Sequence, residues 1–273
     1  MSSSGPVSSS RQGALSVLAV DYGVTKVPAI TAAFWIIKVL TTGMGETASD
    51  YMVHRWGGPV AVVPCALVFA AVLVWQLALR CYRTWVYWLA VVMVSVFGTM
   101  AADVTHIVFH VPYVVSTTVF SLVLAAVFVL WHRTESTLSI HSITTRRREL
   151  FYWSAVLSTF ALGTAAGDMT ARTLGLGYVG STILFAALMA VPAVAYLLTR
   201  RHGVLWFWVA YVITRPLGAS MADYMAFSTR RGGLGWGTGV VTLVWTGLIV
   251  VFVAYLALTH TDVERSAAPS SAC

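Results

Sequence analysis

Eight strongly apolar stretches, at 29–53, 58–79, 86–108, 112–131, 152–171, 178–198, 204–227 and 237–258, alternate with short polar breaks along the chain. Each is close to the roughly 20 residues a helix needs to cross the hydrocarbon core of a bilayer. The stretches are continuously apolar and too long for barrel strands, so the pattern predicts helices and not a β-barrel. Polar and small positions inside them are few but regular. Four times a tryptophan is followed ten positions later by glycine and fifteen positions later by aspartate: Trp35–Gly45–Asp50, Trp88–Gly98–Asp103, Trp153–Gly163–Asp168 and Trp208–Gly218–Asp223.

Each copy occupies the first helix of a predicted hairpin, and a second apolar helix brings the chain back. Four units that start and end on one side of the membrane are parallel, related by pseudo-symmetry about the membrane normal. The reading is therefore an all-α polytopic membrane protein of eight transmembrane helices in four helical hairpins. It divides into a mobile cytoplasmic tail (1–28), repeats one and two (29–131), a cytoplasmic linker (132–151), repeats three and four (152–258) and a C-terminal tail (259–273). At about 100° per residue, tryptophan and aspartate fall within about 60° of each other on one helix face, while the glycine lies about 140° from the aspartate. The glycine is then free to serve a close helix crossing, as small residues do in membrane bundles.

Composition agrees. Hydrophobic residues make up 58% of the 273 positions and charged residues only 10%, with a mean hydropathy of +0.80. A soluble domain carries about a quarter charged residues. The net charge of +7 is mostly a topology signal: eleven Lys and Arg fall on the side of the termini, four on the other, and two within spans. The positive-inside rule puts both termini in the cytoplasm, here of a bacterial inner (plasma) membrane. This distribution gives no reason to invoke nucleic acid, and the partners it implies are the lipid bilayer and a transported cation. Nothing in the sequence specifies oligomeric partners.

The four repeats resemble a bacterial membrane family defined by a two-helix repeat of unknown function, the DUF347 repeat, with "FWIIKVLTTGMGETASDY" the fullest copy of the pattern. The resemblance covers about residues 29–258 and implies four tandem copies with two spans each. It brings no secure activity, so the chemistry must come from the residues.

Half of the ten acids are Glu46, Asp50, Asp103, Asp168 and Asp223, all within or near the ends of spans. Intramembrane acids are expensive and mark ion or proton pathways by default. Lys38 and Arg215 also fall within spans and need counter-charges: Lys38 pairs in this reading with Glu46 or a neighbouring aspartate, Arg215 with Asp223 or Asp168. Pro216 follows Arg215 and would loosen its helix. His54, His106 and His110 sit close to Asp50 and Asp103, and carboxylate plus imidazole suits Mn²⁺ or Zn²⁺. Hydroxyls such as Thr99, Thr164, Ser116 and Thr118 accompany the acids, as oxygen ligands or as caps on their own helix carbonyls. Three scattered cysteines offer no metal-binding spacing. No nucleotide-binding or cofactor motif is present, so the reading includes no enzyme activity and no cofactor.

These residues point to a gradient-driven transporter of a cation, a divalent metal ion favoured, with proton-coupled export along the four aspartates. The alternative is a non-transporting assembly or sensor protein whose intramembrane charges are structural.

Overall fold

A computed structural model describes residues 25–107 and 109–263. Among them are eight long helices and no strand: α1 (Ala32–Trp56), α2 (Gly58–Ala78), α3 (Thr84–Ile107), α4 (Tyr113–Glu135), α5 (Arg146–Asp168), α6 (Gly177–Thr199), α7 (Gly203–Ala226) and α8 (Thr238–Thr259). Threonines open two of them: the Thr31 hydroxyl accepts from the Phe34 N–H and that of Thr145 from the Arg148 N–H, satisfying donors that a helix start leaves unpaired. Seven helices are long and apolar enough to cross a membrane. The exception is α1, which carries Lys38, Glu46 and Asp50. It is surrounded by protein, packing on α2, α3, α7 and α8.

The odd-numbered helices form a closed inner ring, with α1 on α3, α3 on α5, α5 on α7 and α7 back on α1. Each even-numbered helix lies outside and packs more extensively on the first helix of the next repeat than on its own hairpin partner: α2 on α3, α4 on α5, α6 on α7 and α8 on α1. Burial separates the two sets. In α3, α5 and α7, 67, 67 and 61% of the most apolar window is buried, against 17, 17, 11 and 22% in α2, α4, α6 and α8. Outer helices that are apolar all round present Leu67, Leu122, Ile183 and Leu243 outward, as a lipid-facing surface requires.

The repeat glycines make the ring crossings. A Cβ on Gly45 would run into Ser95, on Gly98 into Phe160, on Gly163 into the stem of Arg215, and on Gly218 into Thr42. Each residue met stands three positions before the glycine of the following repeat, so all four crossings share one register and the fourth closes onto the first. Hydroxyl bonds reinforce two of them, Ser95 Oγ to the Thr41 carbonyl at 2.8 Å and Thr42 Oγ1 to the Thr214 carbonyl at 3.2 Å.

A second ring closes the end that carries the termini. The aromatic residue preceding each repeat tryptophan packs on the tryptophan of the next repeat. The ring centroids are 5.6 Å apart for Phe34–Trp88, 5.7 Å for Tyr87–Trp153, 6.2 Å for Tyr152–Trp208 and 5.6 Å for Phe207–Trp35. Trp88, Trp153 and Trp208 are buried, whereas Trp35 is half-buried. Beside it, at the junction of repeats four and one, lies a cavity of about 860 Å³ lined by Trp35, Tyr196, Trp206 and Phe207 among others.

The boundaries differ from those the composition predicts. Of the N-terminal segment expected to be a mobile tail, residues 25–28 are docked: Lys26 is buried and pairs with Glu149 at 2.6 Å, which also accepts from Gln76 at 3.1 Å. Asp262, expected in the C-terminal tail, is buried and accepts from Tyr82 at 2.5 Å and Thr84 at 2.9 Å. The Ala29 N–H bonds the Asp262 carbonyl at 2.8 Å, which ties the two ends together. A few buried polar pairs hold segments whose composition alone carries no structural signal. The remainder of both predicted tails lies outside the described residues. The connector between the two halves is also shorter than the polar run suggests. Helix α5 begins at Arg146, and Glu135 at the end of α4 binds Arg148 at 2.8 Å and Arg147 at 3.3 Å.

Candidate functional site

The ring has a charged centre. Arg215 on α7 is fully buried, and its Nη2 donates to Glu46 Oε2 at 2.6 Å, to Thr164 Oγ1 at 2.7 Å and to Thr99 Oγ1. Its Nη1 donates to the Thr42 carbonyl of α1 at 3.3 Å. Glu46, Thr99 and Thr164 each directly follow a repeat glycine, Gly45, Gly98 and Gly163, and the fourth equivalent position is Ala219. One guanidinium from repeat four thus gathers the same position of the other three repeats, a use of the rigid multi-donor fork that lysine does not offer. The glycine at 163 makes room for the arginine stem, and Pro216 packs beside it.

The expected partners of both bases are corrected by this arrangement. Arg215 binds Glu46, not Asp223 or Asp168. Lys38 binds no carboxylate: its Nζ is buried and unpartnered among the described residues, 4.0 Å from the Phe160 ring centre and 4.2 Å from that of Tyr211. Helical side chains lean toward the helix N-terminus. Lys38 therefore leans away from the acids of its own helix, and Glu46 leans down into the reach of Arg215. Eight residues, about 12 Å of helix rise, separate Arg215 from Asp223 and Lys38 from Glu46.

One turn and a half beyond the glycines, about 7.5 Å along each helix, the four aspartates converge. Asp50, Asp103 and Asp223 each lie within electrostatic reach of Asp168 and of Glu46. Asp168 and Asp223 are buried, and Asp50 and Asp103 half-buried. Asp168 is held by Arg172 at 3.3 Å, and the same arginine donates to the Tyr113 hydroxyl at 2.7 Å. Asp50, Asp103 and Asp223 form no salt bridge among the described residues, and Asp223 Oδ1 is buried without a partner. Five carboxyl groups face two directly bonded guanidinium groups, so the cluster holds more acids than bases and attracts cations or protons.

The histidines do not complete a metal site. His54 Nδ1 lies 2.8 Å from the Asp50 backbone carbonyl, and its side chain is exposed. His106 Nδ1 lies 2.9 Å from the Val111 carbonyl, with Nε2 3.3 Å from Ser116 Oγ and its ring 4.1 Å from that of Tyr113. His110 is exposed at φ +52°. No group of three His, Cys, Asp or Glu side chains that could hold a metal ion occurs among the described residues. Helical i to i+4 spacing brings His54 to the backbone carbonyl of Asp50, and the turn after α3 does the same for His106. Of the hydroxyls, Thr99 and Thr164 serve Arg215, while Thr118 and Thr182 bond their own helix carbonyls.

Two elements of this site escaped the sequence reading. The aromatic residue before each repeat tryptophan, in Phe34–Trp35, Tyr87–Trp88, Tyr152–Trp153 and Phe207–Trp208, was legible as a fourfold dipeptide. The position after each glycine reads Glu, Thr, Thr, Ala, three polar residues in the most apolar part of the helices, and it marks the ring centre.

A family model described as a Repeat of Unknown Function (DUF347) matches residues 33–83, 86–137, 151–202 and 206–262. These four matches coincide with the four helical hairpins α1–α2, α3–α4, α5–α6 and α7–α8. No curated protein and no solved structure matches the chain. The chain belongs to the DUF347 repeat family.

Proposed function

Taking this multi-pass membrane protein as a member of that family, we propose that it is a gradient-driven transporter of a cation, with Asp50, Asp103, Asp168 and Asp223 as its vestibule. The observation that carries the reading is the convergence of the four repeat aspartates and Glu46 in one cluster, with Asp50, Asp103 and Asp223 in no salt bridge among the described residues. The anionic excess favours a divalent ion over a monovalent one, because attraction scales with charge. With no three-ligand cage among the described residues, the ion enters in this reading with water still bound.

The ring centre excludes a continuously open pore, since Arg215 fills it and two rows of aromatic residues close the far end. An arginine at a constriction repels cations. Transport in this reading runs through exchange: a cation at Glu46 competes with Arg215 for the carboxylate, and the guanidinium stays held by Thr99 and Thr164. With both termini cytoplasmic in a bacterial inner membrane, the vestibule faces outward. Protons arriving there displace the leaving cation from the carboxylates, which is proton-coupled export.

A second reading draws on the same pair. Arg215 binds residues of α1, α3 and α5 at once, and such a contact also suits a non-transporting assembly or sensor protein whose charges lock helices together. Flux in proteoliposomes separates the two. Saturable uptake of Mn²⁺, Zn²⁺, Mg²⁺, Ca²⁺ or Na⁺ with opposing proton movement, abolished in Asp103→Asn with Asp168→Asn, supports the transporter. Absence of flux for every ion in folded, inserted protein sinks it in favour of the lock.

A further inference from the structure

Arg80, just past the end of α2, and Arg146, at the start of α5, line one mostly polar cavity of about 360 Å³ together with Lys26, Ala78, Leu79 and Thr144. That is the liquid volume of about a dozen waters. Lys26 is buried and already bound to Glu149 at 2.6 Å. Its backbone N–H bonds the Ile143 carbonyl at 3.0 Å, so the docked N-terminal segment and the linker close one side together. Arg147 and Arg148 are taken by Glu135, whereas Arg80 and Arg146 bind no carboxylate among the described residues. Three bases thus meet at the cavity against the single carboxylate of Glu149, and the two exposed guanidinium groups stay charged at any working pH.

The cavity lies at the level of a membrane surface. The apolar span of α2 ends at Ala78, which lines it. Trp75, one turn before Leu79, and Trp85 at the start of α3 are both exposed and meet edge to face, their ring centres 5.0 Å apart. Tryptophans at the end of a span mark the headgroup layer. Further along α2, Val63, Leu67 and Val74 are exposed on one helix face.

We propose that this cavity binds the headgroup phosphate of an anionic phospholipid, held by Arg80 and Arg146 with Thr144 as a hydroxyl donor, while the acyl chains lie along α2. Arginine forks match phosphate oxygens in geometry as well as charge, and basic pockets beside membrane helices take such headgroups. The tryptophan pair and the apolar face of α2 favour a lipid over free phosphate. A bound lipid bridges the end of the first repeat and the start of the third. The site does not depend on transport, because it lies outside the ring that holds the aspartates.

The test melts purified full-length protein in neutral detergent against added phosphatidylglycerol, phosphatidylcholine or inorganic phosphate. The wild type is expected to show a saturable rise in melting temperature with phosphatidylglycerol alone. Arg80→Gln with Arg146→Gln should melt like the wild type without lipid, since neither side chain has a partner to lose. Its half-saturation should weaken by about thirtyfold, each arginine near a membrane surface contributing about fivefold. Arg133→Gln with Arg201→Gln removes the same charge from exposed arginines elsewhere and should keep the wild-type response. Native mass spectrometry gives a second readout, one retained phosphatidylglycerol in the wild type and none in the Arg80, Arg146 variant. An equal response to phosphatidylcholine, an unchanged half-saturation in that variant, or an equal loss in the Arg133, Arg201 control each overturns the proposal. A shift reproduced by inorganic phosphate assigns the cavity to the free ion and overturns the lipid. Loss of cation flux with the lipid response intact removes only the transport reading.

Discussion

Glu46 and Arg215 stand 169 positions apart in the chain and 2.6 Å apart in space, joining the first repeat to the fourth across the centre of the ring. The two residues stand about one helical turn apart in the repeat, Glu46 one position after its glycine and Arg215 three before its own. The crossing register places Arg215 beside Gly163 and Thr164 of the preceding repeat, and its guanidinium then reaches Glu46 of the repeat that closes the ring.

Breaking this pair from one side should be much worse than removing it whole. Arg215→Met or Glu46→Gln alone leaves a buried group without its partner, and each is expected to lower stability by about 3–5 kcal/mol. The double variant should recover a substantial part of that loss. A double-mutant cycle on detergent-solubilised protein reads the coupling, and additive losses would mean that the pair is not a unit.

The crossings predict a steep glycine dependence. Gly98→Val places a Cβ 2.8 Å from the Cβ of Phe160 and is expected to cost about 1–3 kcal/mol by overpacking. Gly247→Ala, whose added Cβ meets nothing within 4 Å, should be neutral or slightly stabilising in the same helical bundle. Thermal melts of the two variants side by side decide it, and comparable effects would contradict the crossing geometry.

Asp168→Asn separates function from packing. Its partner Arg172 is 48% exposed, and a pair with that much solvent access is worth about 0–1 kcal/mol. The variant should melt within that margin of the wild type while, under the proposed function, cation flux falls by at least about tenfold, or 1.4 kcal/mol in barrier. A large loss of stability with flux retained would make the residue structural.

The docked ends carry a pH signature. Burial, and then the nearby Asp262 carboxylate, push the Tyr82 phenol above its ordinary value. The folded state thus prefers the neutral phenol. Its contribution is fully present below about pH 10, where the unfolded phenol is also neutral, and falls as pH rises beyond that. Tyr82→Phe should lower stability at neutral pH by about 1–2 kcal/mol, leaving Asp262 with Thr84 alone. The gap between variant and wild type should then narrow above about pH 10, and a gap independent of pH would show that the phenol does not titrate as argued.

Hydrophobic period and repeat phase are local properties, and they alone identify the helices, their pairing into four hairpins and the tryptophan, glycine and aspartate positions of each repeat. Trp88, Gly98 and Asp103 recur at the same intervals in every copy because each helix must present the same face to the ring, so that face is legible one helix at a time. The choice of partners is not local. Lys38 and Glu46 lie on one stripe of one helix, and sequence alone pairs them. The tertiary structure separates them because side chains lean along the helix, and because Arg215 arrives from the far end of the chain at the level of Glu46. Closure of repeat four onto repeat one, which places Phe207 on Trp35 and Gly218 on Thr42, likewise has no trace in any single segment. Counter-charges in a membrane core are decided by which side chains share a level across the axis, and that level exists only once the ring has closed.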